Sequence, residues 1–381
     1  MDLRNLPDGL SPKERIAERR KRIEDECDCD LSLLEQRPST IGHSDEKNCE
    51  NMFGSMLIPV GYAGPLMVHF SSQKNMDVHL PLATTEGALV ASVNRGCKAL
   101  NSANGVHTSS VYHGISRSIA IKTSNAQRVT SNDIKERKDE WKTAAESTSN
   151  HLKILSYDID ETPDHIFLTI NADTDEAMGM NMVTIAAQAV GNWIVDNIGG
   201  ELITIAANVD SDKKPSKRTH EKGRGYEVTA SATIPSDVIT SILKSDPEAM
   251  MNVAKAKLEQ GSDIAGALGA NMHAANIIAA LYLATGQDAA HVVEGSLTDT
   301  TITKIEDGLK ISVRCPAILV GLRGGGTDLP AQRQCLDLLL QGNNRQHLAE
   351  SIGAAVLAGE VSLLAAQAAH HLAKAHAALG R

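Results

Sequence analysis

SRSIAIKTS at residues 116–124 and DHIFLTINAD at residues 164–173 are the stretches that decide the fold. Both alternate apolar and polar residues, which is typical of half-buried strands. Between them, SNDIKERKDEWKTAAESTSN (131–150) predicts an exposed helix. MVTIAAQAVGNWIVDNIG (182–199) predicts a second helix, and ELITIAA (201–207) predicts another strand. Strand, helix, strand, helix and strand in one short stretch indicate a small α+β unit.

The residues on either side of this unit predict a larger domain with its own strands and helices. VHLPLATTEGALVASVNRGCKAL (78–100) is typical of a strand that leads into a helix, with Thr84 or Thr85 as the helix cap. NMHAANIIAALYLATG (271–286) and AGEVSLLAAQAAHHLAKAHAALG (358–380) indicate further helices. The expected divisions are an N-terminal helical and linker segment (1–46), a large domain (47–117 and 206–381) and the small unit inserted within it (118–205).

The composition and charge of the 381 residues exclude several classes of protein. The formal charge of −10 argues against a nucleic-acid partner, because phosphate neutralisation requires a basic surface. No uninterrupted apolar stretch approaches the roughly 18 residues that span a bilayer. The polar N-terminal segment is also unlike a signal peptide. We therefore expect a cytoplasmic protein with no membrane partner.

The six cysteines are scattered, without a C-x-x-C pair, so neither a disulfide framework nor a zinc site is indicated. Cys27 and Cys29 lie in the acidic run ECDCD, where an exposed turn is favoured over a metal site. The sequence therefore predicts no resident metal.

A cluster of cations lies within DKKPSKRTHEKGRG (212–225) of an otherwise acidic chain. Its members are Lys213, Lys214, Lys217, Arg218, Lys222 and Arg224. The bordering proline and glycines predict a loop rather than a helix face. Cations in a rigid loop bind carboxylates or phosphates, or polarise a carbonyl, and the alternative is a solvated loop. Because the cluster follows the strand ELITIAA, we expect Asp212 and its two neighbours at that strand's carboxyl end, where ligands often bind.

Several residues of chemical interest have ordinary structural explanations when each is taken alone. Glu86 fits a first-turn glutamate that complements a helix dipole, and Asp288 fits an N-cap after a helix-ending glycine. His376 fits a surface histidine on the last helix. DEAMGMNMV (175–183) lacks the G-x-G-x-x-G spacing, so by itself it predicts packed methionines and no dinucleotide site.

Nine segments, taken together, resemble the hydroxymethylglutaryl-CoA reductase family. They follow the order of the family between residues 50 and 381, and they are ENMFGSMLIPVGYAGPL, TTEGALVASVNRGC, DEAMGMNMV, DKKP, GRG, HAANI, GQDAA, GGGT and GEVSLLAAQAAHHLAKAH. The DKKP loop and the C-terminal pattern are similar to the class shared by eukaryotes and archaea. The eukaryotic membrane anchor is absent, which implies a soluble archaeal-type form.

The resemblance implies a fold, a reaction and an assembly that periodicity alone does not show. The implied fold is α/β (α+β), with a large domain built around a long central helix and a small ferredoxin-like domain that binds the cofactor. The implied reaction reduces 3-hydroxy-3-methylglutaryl-CoA to mevalonate by two hydride transfers from NADPH and releases coenzyme A. A homodimer, or a dimer of dimers, is implied, with each active site assembled across the subunit interface.

The resemblance also assigns roles to individual residues. The catalytic residues implied are Glu86 of TTEG, Lys213 of DKK, Asp288 of GQD and His376 near the C-terminus. The substrate contacts implied are Arg117 of GISRS, Asp212, Lys214 and Asn276 of HAANI. The cofactor contacts implied are Asn150, Lys153, Glu176, Met178, Gly179, Met180 and Asn181.

The chemistry of thioester reduction suits these residue types. Hydride attack on the thioester creates an oxyanion, which a fixed cation such as Lys213 stabilises. Collapse of the thiohemiacetal expels a thiolate whose thiol has a pKa of about 8.5, and a histidine with a pKa near 6.5, here His376, suits its protonation. Glu86 gives the second proton if burial beside Asp288 raises its pKa, or Asp288 tunes a coupled pair of Lys213 and Glu86.

Three positions depart from the family pattern. Glu176 stands where the family has an aspartate, which lengthens a carboxylate near the cofactor. Ala206 stands where the family has a serine, which removes a hydroxyl expected to touch the substrate. Asn150 stands where relatives have an arginine. If that arginine holds the 2′-phosphate of NADPH, NADH becomes an alternative cofactor, and Lys153 replaces the arginine only as a point charge.

Two other functions stay open on the sequence. An acyltransferase or thioesterase needs an activated nucleophile, for which Cys97 and Cys315 are the candidates, and neither has an evident histidine partner nearby in sequence. A non-catalytic protein that binds anionic metabolites through the basic cluster is the other alternative. It would bind ligand without oxidising NADPH.

Overall fold

Strand β3 (Val106–Lys122) is long enough to belong to two sheets, and the architecture follows from this strand. The computed structural model describes residues 6–27, 35, 42–123 and 129–369. The first half of β3 pairs antiparallel with a strand of the larger sheet, from His107 to Gly114. Its second half pairs antiparallel with a strand of the smaller sheet, from Ile115 to Lys122. The predicted division between residues 117 and 118 therefore falls inside one continuous strand.

Eight further strands and fourteen α-helices lie within the described residues. The other strands are β1 (Val60–His69), β2 (Asn75–Ala83), β4 (Lys153–Glu161), β5 (His165–Asp173), β6 (Glu201–Thr204), β7 (Gly225–Ile234), β8 (Asp299–Ile305) and β9 (Gly308–Ile318). The α-helices are α1 (Pro12–Cys27), α2 (Ser44–Lys47), α3 (Leu89–Ser102), α4 (Ser131–Glu136), α5 (Lys138–Glu146), α6 (Met180–Asn197), α7 (Lys217–Lys222), α8 (Ser236–Val238), α9 (Pro247–Ala254), α10 (Ser262–Ala265), α11 (Ala274–Thr285), α12 (Val292–Gly295), α13 (Pro330–Leu340) and α14 (Arg345–Ala368). Two π-helical turns (Ile239–Leu243 and Lys255–Gly261) and two 3₁₀ turns (Ala289–His291 and Gly325–Asp328) complete them.

The smaller sheet has the ferredoxin-like order that the resemblance implied. Its strands follow one another as β4-β5-β3-β6, and each neighbouring pair is antiparallel. The helices α4 and α5 connect β3 to β4, and α6 connects β5 to β6, which gives the βαββαβ arrangement. Buried Trp141, Val183 and Leu168 belong to the hydrophobic cluster of this unit. The single helix predicted for residues 131–150 is instead two short helices that meet at Arg137.

The larger sheet runs in the order β2-β1-β3-β7-β9-β8, and only the β1–β3 pair is parallel. Helix α14 lies against this sheet, and 20 of its 24 residues are buried. By length and composition α14 resembles a membrane span, yet 94% of its apolar window is buried within the protein. It is therefore the core helix around which the large unit is built, and the expected α/β (α+β) fold is confirmed.

Two local predictions about helices are wrong. Neither Thr84 nor Thr85 caps α3, because the helix begins only at Leu89 and its first turn has no side-chain cap. The hydroxyl of Thr84 instead accepts a hydrogen bond from the N–H of Glu86 at 3.0 Å, so Glu86 lies in the loop before the helix and not in its first turn. The basic cluster is not wholly a loop either, since residues 217–222 form α7, capped by the Ser216 hydroxyl.

Helices α3 and α14 cross at a glycine where their backbones touch. A Cβ atom at Gly96 would lie 1.9 Å from the carbonyl oxygen of Ala358. Both helices are buried at this point, so the clash has no flexible side chain to absorb it.

We therefore expect Gly96→Ala to destabilise the protein, although the same change usually stabilises a helix by about 1 kcal/mol. Overpacking at the crossing should lower the free energy of unfolding by about 1–3 kcal/mol, measured by denaturant titration. Ala91→Gly on the exposed face of α3 is the control, and its loss of about 1 kcal/mol reflects helix propensity alone. A Gly96→Ala protein more stable than the parent would contradict the close crossing.

Candidate active site

Lys213 and Asp288 form the ion pair at the centre of the candidate site. The Nζ atom of Lys213 lies 2.7 Å from Oδ2 of Asp288, and the two side chains are 39% and 35% exposed. Asp288 also accepts a hydrogen bond from the N–H of Ala290 at 3.0 Å, so its predicted role as an N-cap is confirmed. Asp288 therefore caps the turn that follows it and also pairs with a cation. An incoming ligand can reach that cation.

The backbone of the loop that carries Lys213 is held in an unusual conformation. Asn208, Ser211 and Lys213 all have positive φ, near +60°, a region that costs free energy for residues other than glycine. The N–H of Lys213 donates to Oε1 of Glu294 at 2.8 Å, and this bond fixes the strained position. Lys213 is therefore presented by a rigid loop and not by a solvated, freely moving one.

Arg224 supplies the positive charge beneath this loop. Its side chain is 2% exposed, and its Nη1 atom lies 2.9 Å from Asp212 Oδ1 and 2.6 Å from Glu294 Oε1. Its Nε atom donates to the hydroxyl of Ser116 on β3 at 2.9 Å. Burial alone would raise the pKa of Asp212, but Arg224 outweighs it and holds that pKa below the ordinary value.

His291 completes the buried network. The fully buried imidazole contacts Glu294 Oε2 through Nδ1 at 3.1 Å, and its Nε2 atom lies 3.8 Å from Asp288 Oδ2. Ligand atoms of Asp212, His291 and Glu294 lie within 4.8 Å of one another, a spacing that suits a metal ion. Arg224 already contacts the carboxylates of Asp212 and Glu294, so its guanidinium provides the positive charge at this position. Of the other metal candidates, Cys27 is the last residue of α1, and Cys29 lies outside the described residues.

A cleft of about 670 Å³ joins the ion pair to the predicted cofactor loop. Its walls include Lys213, Asp288 and the run from Met178 to Asn181. The glycines of GGGT (324–327) and the exposed side chain of Arg323 line the same cleft. Segments that are far apart in the sequence therefore line the same cleft.

The predicted cofactor residues lie at one end of the small unit. Gly179 has φ +87° and precedes α6, and a Cβ atom there would lie 2.3 Å from Thr174, so only glycine fits. One buried carboxylate oxygen of Glu176 has no hydrogen-bond partner among the described residues. Lys153 at the start of β4 pairs in register with Asp173, and the exposed Asn150 lies in the preceding turn. Asn150 and Lys153 thus share an edge with the loop that leads to Gly179.

Glu86 and Asn276 form a second polar pair, separate from the first. The amide Nδ2 of Asn276 donates to Oε1 of Glu86 at 3.1 Å, and both groups are accessible to solvent. Within the part of the chain that the structure describes, no hydrogen bond or ion pair joins this pair to Lys213 or Asp288. The expectation that Glu86 is buried beside Asp288 therefore fails within a single subunit.

The predicted substrate residues lie around the Lys213 loop. Nη1 of Arg117 lies 3.4 Å from both Asp210 Oδ2 and Asp212 Oδ2. Lys214 is exposed, and its Nζ atom donates to the backbone oxygen of Asp212 at 3.1 Å. Arg117, Asp212 and Lys214 are therefore brought together on one chain, whereas Asn276 lies with Glu86. His376 lies outside the described residues.

The sequence did not single out several residues of this site. Arg224 belongs to the loop cations and to the GRG segment, but no pattern gave it a role of its own, and none marked His291, Glu294 or Arg323. The i, i+3 spacing of His291 and Glu294 after GQD is the one signal for the buried pair, and it is too common to be specific. Burial of an arginine and a glutamate is invisible in sequence, because both types are mostly exposed.

The two candidate nucleophiles are unsuited to covalent catalysis. Cys97 is 1% exposed and Cys315 is fully buried. Burial raises the pKa of each thiol to about 12, so neither forms a thiolate near neutral pH. An acyltransferase or thioesterase would therefore have no activated nucleophile at either of these cysteines.

The fold and the cleft define an enzyme of two α/β units, with a ferredoxin-like unit inserted beside a lysine–aspartate pair. A family model described as Hydroxymethylglutaryl-coenzyme A reductase matches residues 15–381. The 3-hydroxy-3-methylglutaryl-coenzyme A reductase of Methanothermobacter thermautotrophicus is 39% identical over 97% of this chain and 94% of its own length. That of Halobacterium salinarum is 42% identical over 87% of this chain and 84% of its own length.

The chain belongs to the hydroxymethylglutaryl-coenzyme A reductase family, and it is of the archaeal type. It is accordingly an oxidoreductase that acts on 3-hydroxy-3-methylglutaryl-CoA. A solved structure of the class II enzyme from Streptococcus pneumoniae, described as bound to NADPH in open conformations, matches with a TM-score of 0.68. It is 20% identical over 92% of this chain and 96% of that chain, so it confirms the fold.

Removal of the Lys213 ammonium should raise the pKa of Asp288. Burial pushes this pKa upwards, but the hydrogen bonds from Lys213 and the Ala290 N–H outweigh burial and keep it below the ordinary value. In Lys213→Ala, burial persists without the cation, so the carboxyl should take up its proton at a higher pH than in the parent protein. A ¹³C NMR titration, with the signal assigned by Asp288→Asn, measures the change.

Lys214→Ala is the matched control for this titration, because Lys214 bonds to a backbone oxygen and not to Asp288. Its Asp288 signal should titrate as in the parent. Equal shifts in both variants would mean that overall surface charge, and not the ion pair, sets the pKa.

Proposed function

We propose that the chain reduces 3-hydroxy-3-methylglutaryl-CoA to mevalonate in the cleft between Lys213 and the Met178–Asn181 loop, with NADPH as the hydride donor. The observation that carries the proposal is the Lys213–Asp288 ion pair on the wall of this cleft. The catalytic residues proposed are Glu86, Lys213, Asp288 and His376. We also propose that residues 118–205 form the cofactor-binding domain and that residues 47–117 and 206–381 form the substrate-binding one.

The lining of the cleft fits a dinucleotide with phosphate groups. Helix α6 begins at Met180, and the free N–H groups of its first turn favour an anion. Gly179 and Gly321 are packed against neighbouring atoms so closely that no side chain fits, and Arg323 provides an accessible cation. When bound there, NADPH supplies hydride. Lys153, beside Asn150, is the cation proposed to favour a 2′-phosphate, and NADH is the alternative if it does not.

Lys213 is proposed to stabilise the oxyanion that forms at the thioester carbonyl. The strained loop and the Glu294 hydrogen bond hold its backbone in place before substrate arrives, so little reorganisation is needed during the reaction. Asp288 keeps the ammonium directed into the cleft through the 2.7 Å contact. The pair is therefore a preorganised electrostatic group and not a flexible surface lysine.

Two protons are needed besides the two hydrides. His376 is proposed to protonate the coenzyme A thiolate as it leaves, since an imidazole with a pKa near 6.5 holds an available proton close to neutral pH. Glu86, oriented by Asn276, is proposed to give the proton that completes the alcohol. Arg117, Lys214 and Asn276 are proposed to hold the carboxylate and hydroxyl groups of the substrate, while Asp212 keeps Arg117 in position.

A homodimer, or a dimer of dimers, is proposed, with each active site built from two chains. Glu86 and Lys213 lie in separate polar pairs on one chain, so a second subunit is needed to bring a glutamate to each lysine. The segment before β1 and the start of that strand support this, because Met56 and Leu57 are 77% and 74% exposed and Tyr62 in β1 is 49% exposed. A contiguous apolar surface of this kind favours a protein interface. A cytoplasmic location is proposed with it.

The reaction is tested by a coupled assay with 3-hydroxy-3-methylglutaryl-CoA and each nicotinamide in turn. We expect two NADPH molecules oxidised for each thiol released, because the thioester is reduced twice. Lys213→Ala should lower kcat by a factor of about 10²–10³. The circular dichroism spectrum and the unfolding midpoint should stay close to those of the parent. Thiol release without nucleotide oxidation would instead indicate a thioesterase, and ligand binding with neither signal would indicate a non-catalytic binder.

The shared active site is tested by mixing two inactive variants. Glu86→Gln and Lys213→Ala should each be inactive alone, since each site then lacks one of its groups. After the subunits are exchanged, a mixed dimer contains one site with both native residues, and activity should return. Mixing Lys213→Ala with Asp288→Asn is the control, because both changes affect the half-site of one chain. No recovery from the first mixture, with exchange verified by mass, would refute the shared site.

A further inference from the structure

Glu360 is a fully buried carboxylate of the core helix α14 to which the mechanism above gives no role. It accepts hydrogen bonds from the N–H of Met272 at 2.6 Å, the N–H of His273 at 2.8 Å and the hydroxyl of Thr300 at 2.6 Å. All three donors are neutral. Among the residues that the structure describes, Glu360 has no cationic partner, which is uncommon for a buried glutamate.

The two N–H groups belong to the residues that lead into helix α11. His273 is the N-cap of α11, and its own side chain does not cap the helix. The imidazole instead contacts the carbonyl oxygen of Gly359 through Nε2 at 3.0 Å. Glu360 and its neighbour Gly359 therefore fix the start of α11 against the core helix, and the negative charge is favoured at a helix N-terminus.

Helix α11 carries a residue of the proposed active site in its first turn. Asn276 lies three residues after His273, and its amide donates to Glu86. A shift of the helix start moves this amide directly, because the N–H of Asn276 is itself bonded to the carbonyl oxygen of His273 at 2.9 Å. Glu360 thus contacts the segment that sets where Asn276 and Glu86 meet.

We propose that Glu360 is a positioning residue for the reduction, which holds the start of helix α11 so that Asn276 orients Glu86 toward the substrate. The inference rests on the function proposed above. In this role Glu360 sets the geometry of the Glu86–Asn276 half-site and makes no direct contact with substrate or cofactor.

The chain offers a closely matched control on the same helix. Glu350 is also fully buried, and its partners are likewise uncharged, namely Ser71, Thr108, Ser110 and Gln346. Ser71 lies at the β1–β2 turn, Thr108 and Ser110 lie in the first half of β3, and Gln346 lies on α14 itself. Glu350→Gln therefore causes the same chemical change in the same helix without touching α11.

Glu360→Gln keeps the size of the side chain but replaces one carboxylate oxygen with an amide NH₂ group. This group faces a hydrogen-bond donor and cannot accept a hydrogen bond from it. We expect kcat/KM for 3-hydroxy-3-methylglutaryl-CoA to fall roughly tenfold or more, because one N–H at the helix start loses its acceptor. The KM for NADPH should stay within about twofold of the parent, since the Met178–Asn181 loop is not involved. Glu350→Gln should lose comparable stability but keep kcat and both KM values.

A double-mutant cycle with Asn276→Ala separates positioning from general damage. If Glu360 acts through Asn276, Glu360→Gln should have little further effect on kcat/KM in the Asn276→Ala background. Additive effects, or kinetics of Glu360→Gln that match those of Glu350→Gln, would overturn the inference. Should Glu360→Gln not fold, Thr300→Val removes a single hydrogen bond to Glu360 and should give the same selective loss at smaller amplitude.

The parent enzyme is assayed first, and this step distinguishes the two levels of the proposal. A parent protein that does not reduce 3-hydroxy-3-methylglutaryl-CoA refutes the proposed function. An active parent whose Glu360→Gln and Glu350→Gln variants behave alike refutes only the role of Glu360.

Discussion

The buried guanidinium of Arg224 is the interaction on which the candidate site depends. It neutralises Asp212 and Glu294 at the same time, and Glu294 in turn holds the N–H of Lys213. Loss of one partner from such a buried network costs about 3–5 kcal/mol, because a charge is left without compensation. The bonds to Ser116 anchor the guanidinium to β3, the strand that both sheets share. The position of Lys213 is therefore tied to the junction of the two units.

The core helix α14 combines close packing with buried charge. Small residues let α3 approach its backbone at Gly96, so the two helices touch without side chains between them. Glu350 and Glu360 place two carboxylates about three turns apart along the same helix, each satisfied by hydroxyl and N–H donors. Arg345, the first residue of α14, reaches Asp173, the last residue of β5, shortly before the predicted cofactor residues. One rigid element thus contacts the elements that carry both halves of the site.

The polar groups of the candidate site lie in two places on a single chain. The lysine–aspartate pair and the Met178–Asn181 loop line the same cleft. Glu86 and Asn276 form their own pair, which is accessible to solvent. Among the described residues, the network that Arg224 forms beneath Lys213 does not include this second pair, so the two groups are held by independent contacts.

The sequence by itself predicted a small α+β unit and the helices near residues 274 and 359, because periodicity is a local property of the chain. It did not predict strand β4 (Lys153–Glu161). The ferredoxin-like order, the family and the roles of Lys213 and Asp288 came from the resemblance of short motifs to a family. Only the tertiary structure decided that these two groups touch, that Arg224 is buried, that Glu86 precedes its helix, and that residues 217–222 are helical. The burial and pairing of charges depend on contacts between residues that are distant in sequence. The sequence alone does not give the spatial distances between those residues.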